Sequence, residues 1–262
     1  MGDDGDAMDK MVIIRNFSKN AASYDEHSKI QKKCAEILIT SGGKKEKIRN
    51  ILEIGCGTGG YTRLLRKEYK RAEIKAVDIS EKMIRQASGK IMDKGIQFEV
   101  CDGEKIFFKK KFDLITSNAS FQWFSDIGRA LERFSEFITD NGSLNFSTYG
   151  PGTFKELNKV VEIYFGRGQC LSSSRFMSSD SLEYSLKRCF SKTEIRTKSF
   201  KAKFPSLRNF LRVIKKSGAR GEGLSGGVFL GRKAMENMEK IYIEKFGTIT
   251  ATHEVYFCKA RK

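Results

Sequence analysis

Short apolar runs alternate with helix-period stretches through the first 150 residues of the chain. The runs 51–54, 74–77, 96–100, 112–117 and 143–148 have the length and composition of strands. Between them, segments near 60–68, 81–92 and 126–138 carry helical spacing. Strand–helix alternation at this pitch predicts a parallel sheet with helices on both faces, and ligands in such sheets bind at the carboxyl ends of the strands. Upstream, residues 16–40 read as one helix with Ile30, Cys34, Ile37 and Leu38 on a common face, followed by a Gly42-Gly43 loop with a charged run from Lys44 to Lys47.

The pattern changes after Gly150-Pro151-Gly152. Helices are expected at 153–165 and 179–189, the second behind a serine-rich loop. Residues 193–204 alternate like a half-exposed strand, and 250–260 form a last β-rich segment. Leu207, Phe210, Leu211 and Ile214 repeat at i, i+3, i+4 and i+7, the mark of an amphipathic helix. A glycine-rich loop from Gly218 to Gly231 and a helix at 232–245 complete a late insertion. The domain reading is therefore a disordered tail at 1–13 and one domain at 14–262, with 206–247 as a helical lid.

Composition narrows the class. A hydrophobic content of 39% supports a real core, and no apolar run approaches the ~20 residues that span a bilayer. The acidic opening Met1-Gly2-Asp3-Asp4-Gly5-Asp6 does not suit a secretory signal or transit peptide. Six scattered cysteines without a C-x-x-C pair, and two histidines, give neither a zinc site nor a disulfide framework, so no metal and a cytoplasmic location are expected. The net charge of +17 would attract nucleic acid, an anionic membrane or an acidic protein, but no block of like charge selects among them.

The most informative stretch is Ile51-Leu52-Glu53-Ile54-Gly55-Cys56-Gly57-Thr58-Gly59-Gly60. A strand that stops at such a loop brings bare backbone against a ligand, and the next helix adds its free N–H groups. The G-x-G-x-G spacing, preceded by Glu53, resembles the first motif of class I S-adenosylmethionine (SAM) methyltransferases. That resemblance implies a Rossmann-like fold with a seven-stranded, mostly parallel sheet. It also implies a cofactor site of Glu53, Gly55, Cys56, Gly57 and Gly59 around the methionine portion. Asp78, followed by Ile79, ends the second apolar run, where a carboxylate can accept both ribose hydroxyls; alone it could as well cap a helix. Met83 could pack on adenine or simply in the core. Asp102 and Gly103 close the third run, where the acid could accept the adenine amino group. Asn118, Ala119 and Phe121 close the fourth, where SAM enzymes line the point of transfer.

A narrower likeness lies in Ser117-Asn118-Ala119-Ser120-Phe121-Gln122-Trp123-Phe124 and in Phe146-Ser147-Thr148-Tyr149-Gly150-Pro151-Gly152-Thr153-Phe154-Lys155-Glu156-Leu157. With Phe17 to Asp25, Ile214 to Arg220 and Thr252 to Tyr256, these segments resemble the malonyl-[acyl carrier protein] O-methyltransferases of biotin synthesis from about residue 14 to 260. The family implies methyl transfer from SAM to the free carboxylate of a malonyl thioester, leaving S-adenosylhomocysteine. It implies malonyl-acyl carrier protein, an acidic partner, or malonyl-CoA as acceptor, with no membrane and a monomer expected. A carboxylate is ionised at neutral pH, with a reference pKa of about 4, so no general base is required. Tyr24, Gln122 and Trp123 are the candidates at the reacting centre, each with a packing alternative. Lys155, Arg175, Lys215 and Arg220 are the candidate cations for the acceptor, each also readable as a solvated charge. The alternatives are a trans-aconitate type of carboxylate methyltransferase and, less favoured, an RNA methyltransferase, because Asn118-Ala119-Ser120-Phe121 is not the motif for exocyclic amines.

Overall fold

The computed structural model describes residues 9–40, 47–217 and 231–262. Its seven strands are β1 (Asn50–Ile54), β2 (Glu73–Asp78), β3 (Ile96–Val100), β4 (Phe112–Asn118), β5 (Ile138–Tyr149), β6 (Lys192–Phe204) and β7 (Ile249–Arg261). They form one sheet in the order β3-β2-β1-β4-β5-β7-β6, parallel from β1 to β5, with β7 antiparallel to both of its neighbours. The chain turns from β1 outward to β2 and β3, then returns across β1 to β4. The crevice beyond β1 and β4 is therefore the switch point at which such sheets bind ligands.

Ten helices, α1 (Lys10–Asn20), α2 (Tyr24–His27), α3 (Lys29–Thr40), α4 (Gly60–Glu68), α5 (Glu81–Lys90), α6 (Ile127–Phe137), α7 (Lys155–Phe165), α8 (Ser179–Cys189), α9 (Leu207–Lys216) and α10 (Arg232–Phe246), occur among the described residues. Side-chain alternation along β1 explains the two-faced cover. Leu52 and Ile54 join Phe134 of α6 and Leu182 of α8 in one core, while Ile51 joins Leu38 of α3 and Leu65 of α4 in the other. In α6 the buried Ile127, Ala130, Leu131, Phe134 and Phe137 follow the helical period, and Asp126 caps its start by accepting the Arg129 N–H at 2.9 Å. A third core joins Phe154, Val160, Phe210 and Tyr242 across α7, α9, α10 and β7. No helix among the described residues is long and apolar enough to cross a membrane.

The N-terminal region differs from the single helix expected over 16–40. It breaks into α1, a tight turn at Ala21–Ser23, α2 and α3, with non-helical backbone at Asn20 and Ser23. The break turns Tyr24 and Asp25 toward the sheet edge, where Asp25 accepts the Thr58 hydroxyl at 2.6 Å and pairs with Lys90 at 2.9 Å. Helix α1 also begins earlier than the tail boundary at 13 allows. Asp9 caps it by accepting the Met11 N–H at 2.7 Å, and Ile13 is buried. The loop Gly150-Pro151-Gly152 fits against β7: the Gly152 N–H donates to Glu254 at 2.9 Å, and a Cβ on Gly150 would lie 2.5 Å from Tyr256.

Glu53 is the exception in apolar β1. It is 1% exposed, its Oε2 has no hydrogen-bond partner, and burial, with Asp78 as a further push, raises its pKa to about 8. The folded state therefore holds a proton that the unfolded chain has lost, and that stability disappears as pH rises toward 8. His253, pushed down to about 4 by burial, works in the opposite sense, but its contribution is complete above its ordinary 6.5. Thermal midpoints should fall between pH 6.5 and 8, by an amount equivalent to at most about 2 kcal/mol, and Glu53→Gln should flatten the curve. Parallel curves for parent and variant in a calorimetric pH series would refute this assignment.

Candidate active site

Three glycines shape the turn from β1 to α4: Gly55, Gly57 and Gly59 all have positive φ, at 71°, 55° and 83°. Side chains rarely adopt this backbone, and space is short as well. A Cβ on Gly55 would sit 2.2 Å from Ser120 Oγ, and one on Gly103 would sit 2.4 Å from Ile54 Cγ2. The turn is held from the next strand. Asp78 Oδ2 accepts the Gly57 N–H at 2.9 Å and Oδ1 accepts the Ser80 N–H at 2.8 Å. Each oxygen keeps lone-pair capacity beyond those bonds. Burial pushes the Asp78 carboxyl up to about 6. A bare backbone cradle beside a half-buried strand-end carboxylate fits a ribose-bearing donor.

The N-terminal segment straps this edge. Lys10 pairs with Asp102 at 2.7 Å and Glu104 at 2.5 Å, and the Ser18 and Ser80 hydroxyls meet at 2.8 Å. Asp102, expected to receive an adenine amino group, thus engages Lys10, and its other oxygen accepts the Glu104 N–H at 3.0 Å.

At the end of β4, Ala119 adopts φ 54°, unusual outside glycine. Its N–H donates to Ser147 Oγ at 3.0 Å, and its carbonyl accepts Gln122 Nε2 at 2.7 Å. The Gln122 Oε1 accepts the Thr148 hydroxyl at 3.3 Å, so this amide braces the turn. Asn118 is held between the Gln31 carbonyl at 3.0 Å and the Ser147 hydroxyl at 2.8 Å. Trp123 stands edge-on between Phe17 at 5.9 Å and Phe176 at 5.7 Å.

Two cavities meet here. The smaller, about 90 Å³, is lined by Gly55, Gly57, Asp78, Ile79, Met83, Asp102, Gly103, Asn118 and Ala119 of the expected cofactor set. Lys10, Ile13 and Phe17 of α1 also line it. The larger, about 910 Å³, opens between α3, α9 and β6, and α9 forms one wall. Phe17, Tyr24, Ala119 and Trp123 line both, so they mark the junction. Burial holds the Tyr24 hydroxyl far above its ordinary pKa, which keeps it a protonated donor.

Several expected residues stand elsewhere. Glu53, Cys56 and Gly59 do not line the smaller cavity, and Phe121 lies 1% exposed in the core, stacked on Phe134 at 5.5 Å. The tight turn at Phe121–Trp123 explains that: it sends Phe121 inward and Trp123 toward the cavities. Of the expected cations, Lys215 lines the larger cavity, Lys155 and Arg175 do not, and Arg220 falls outside the described residues. Sequence reasoning missed Lys10 and Phe17, and at the larger cavity Tyr149, His253, Lys201 and Lys203. The regular alternation of 193–204 was the available signal for the two lysines, since it puts both on one side of an edge strand.

Comparison with known proteins follows the same lines. The family described as "Methyltransferase domain" matches residues 51–142. Among solved structures, YcgJ from Bacillus subtilis superposes with a TM-score of 0.57 at 13% identity, over 88% of this chain and 99% of that one. Phosphoethanolamine N-methyltransferase 2 of Haemonchus contortus, solved in complex with S-adenosyl-L-methionine, gives 0.59 at 19% identity, over 93% of this chain and 57% of that one. At those identities the likeness concerns the fold. Sequence relatives reach further. The malonyl-[acyl-carrier protein] O-methyltransferase of Acetivibrio thermocellus is 32% identical over 97% of this chain and 95% of its own length. That of Paenibacillus sp. (strain JDR-2) is 35% identical over 94% and 96%. The chain belongs to the malonyl-[acyl-carrier protein] O-methyltransferase family.

Proposed function

We propose that this chain methylates the free carboxylate of a malonyl thioester, using SAM as donor, in the reaction that its relatives' names describe. The junction carries the reading: a cradle suited to a nucleoside donor opens, through Tyr24, Ala119 and Trp123, into a long cavity able to take an acyl arm. SAM supplies an electrophilic methyl group on a sulfonium. The chain's own task is positioning and drying. Gly55 and Gly57 offer bare backbone, and Asp78 receives the ribose hydroxyls. The rings of Phe17 and Trp123 exclude water from the point of transfer. No group need remove a proton from an acceptor that is already a carboxylate. Lys10, Ile13 and Phe17 line the smaller cavity, so α1 covers the donor on that side.

Charge favours a carrier-protein acceptor. The exposed Lys29, Lys33, Lys201, Lys203 and Lys215 line the larger cavity against a single acidic residue, Glu26. Such a rim steers an acidic protein that presents its thioester on a flexible arm. Helix α9 then serves as lid and docking face together.

Purified protein with SAM should convert malonyl-acyl carrier protein to its methyl ester, read by mass spectrometry beside malonyl-CoA and trans-aconitate. Methylation of trans-aconitate alone would reject the thioester and keep the donor. Paired Lys201→Glu and Lys203→Glu should lower kcat/KM for the carrier-protein substrate about tenfold at low salt, and less for malonyl-CoA. Equal losses on both would remove the docking role. Asp78→Asn should weaken S-adenosylhomocysteine binding about tenfold by calorimetry, on the order of a lost pair of charge-assisted hydrogen bonds. In the parent, that affinity should fall as pH drops below about 6, where Asp78 takes up a proton. Unchanged affinity in the variant would exclude Asp78 from the site.

A further inference from the structure

Two polar side chains along the larger cavity have no assigned task. Tyr149 ends β5 and His253 lies in β7; both line the cavity, with ring centroids 6.2 Å apart. Tyr149 Oη and His253 Nδ1 are buried and have no hydrogen-bond partner, although the His253 ring is also engaged by the Phe200 and Ala251 backbone. Other buried tyrosines behave differently. The Tyr61 hydroxyl meets Thr116 at 3.0 Å, that of Tyr242 donates to the Thr250 carbonyl at 2.5 Å, and that of Tyr256 donates to Glu254 at 3.0 Å. A buried hydroxyl left unpaired is costly, so an orphan that a ligand would satisfy calls for a functional explanation.

The surroundings point the same way. Among the described residues only Ala119 and Phe154 have positive φ without being glycine, and both line this cavity. Phe154 meets the His253 ring edge-on at 5.0 Å, and Ala119 packs in the cluster that holds Tyr149 and Cys34. Strained backbone concentrates where a site must be shaped. His253 lies on the side lined by Phe154 and Phe210.

We propose that Tyr149 binds the acceptor's acyl head, its hydroxyl donating to the carboxylate oxygen that is not methylated, with the His253 ring packed beside it. This rests on the thioester reading of the site. Burial keeps the Tyr149 phenol protonated, well above its ordinary pKa, so the hydroxyl is a donor. It takes no proton from the acceptor. Its contribution is to fix the nucleophilic oxygen in line with the donor.

Tyr149→Phe tests this by calorimetric titration of malonyl-CoA into the protein saturated with S-adenosylhomocysteine, alongside turnover. The variant should bind malonyl-CoA at least tenfold more weakly, with S-adenosylhomocysteine affinity within twofold of the parent. Its thermal midpoint should be unchanged or higher, because an unpaired hydroxyl is gone. Malonyl-CoA affinity within twofold of the parent would overturn the proposal, as would a loss that merely follows a lower thermal midpoint. A parent that binds malonyl-CoA without methylating it would reject the reaction while leaving this binding assignment to stand or fall on the titrations.

Discussion

The hydrogen bond from the Gly57 N–H to the Asp78 carboxylate is the interaction on which the site depends. It ties the left-handed turn after β1 to the end of β2 in a half-buried position, where an unpaired donor or carboxylate would carry a cost. Glycine is required on the turn because of its φ values and because Gly55 presses on Ser120 of the β4 end. Three consecutive strand ends, β2, β1 and β4, are thereby locked into one surface. The crevice at the switch point of the sheet follows from topology; its bare-backbone floor follows from this bond.

From that floor outward the architecture separates two tasks. The half built from β1 to β4 carries the buried strands β1 and β4 and the smaller cavity, capped by α1 through Lys10, Asp102 and Glu104. The half built from β5 to β7, with α7, α9 and α10, carries the larger cavity and its lysine rim. Tyr24, Ala119 and Trp123 sit where the halves meet. Burial holds the Tyr24 hydroxyl uncharged at that meeting. A dry, weakly charged junction suits a reaction in which an anion meets a cation and both charges vanish.

Much of this was legible in the sequence because the chain states it locally. The apolar runs became β1 to β5, the 206–216 spacing became α9, and the glycine turn with Asp78 stands at the sheet edge as its motif implied. What escaped was non-local or depended on one turn. The break at Asn20 and Ser23 has no proline or glycine to announce it, so Tyr24 read as mid-helix and the α1 strap went unseen. Phe121 looked like a site residue beside Trp123, yet one tight turn sends the two in opposite directions. Tyr149 and His253 lie about a hundred residues apart and meet only because β7 runs antiparallel to β5. The lysines of β6 gather at the cavity through an edge position that composition cannot reveal.

A crystal structure with S-adenosylhomocysteine bound tests the account most directly. Asp78 should lie about 3 Å from both ribose hydroxyls, with the ligand's sulfur facing Tyr24 and Trp123 at the mouth of the larger cavity. A ligand seated away from the glycine turn, or one whose sulfur faces away from that cavity, would contradict it.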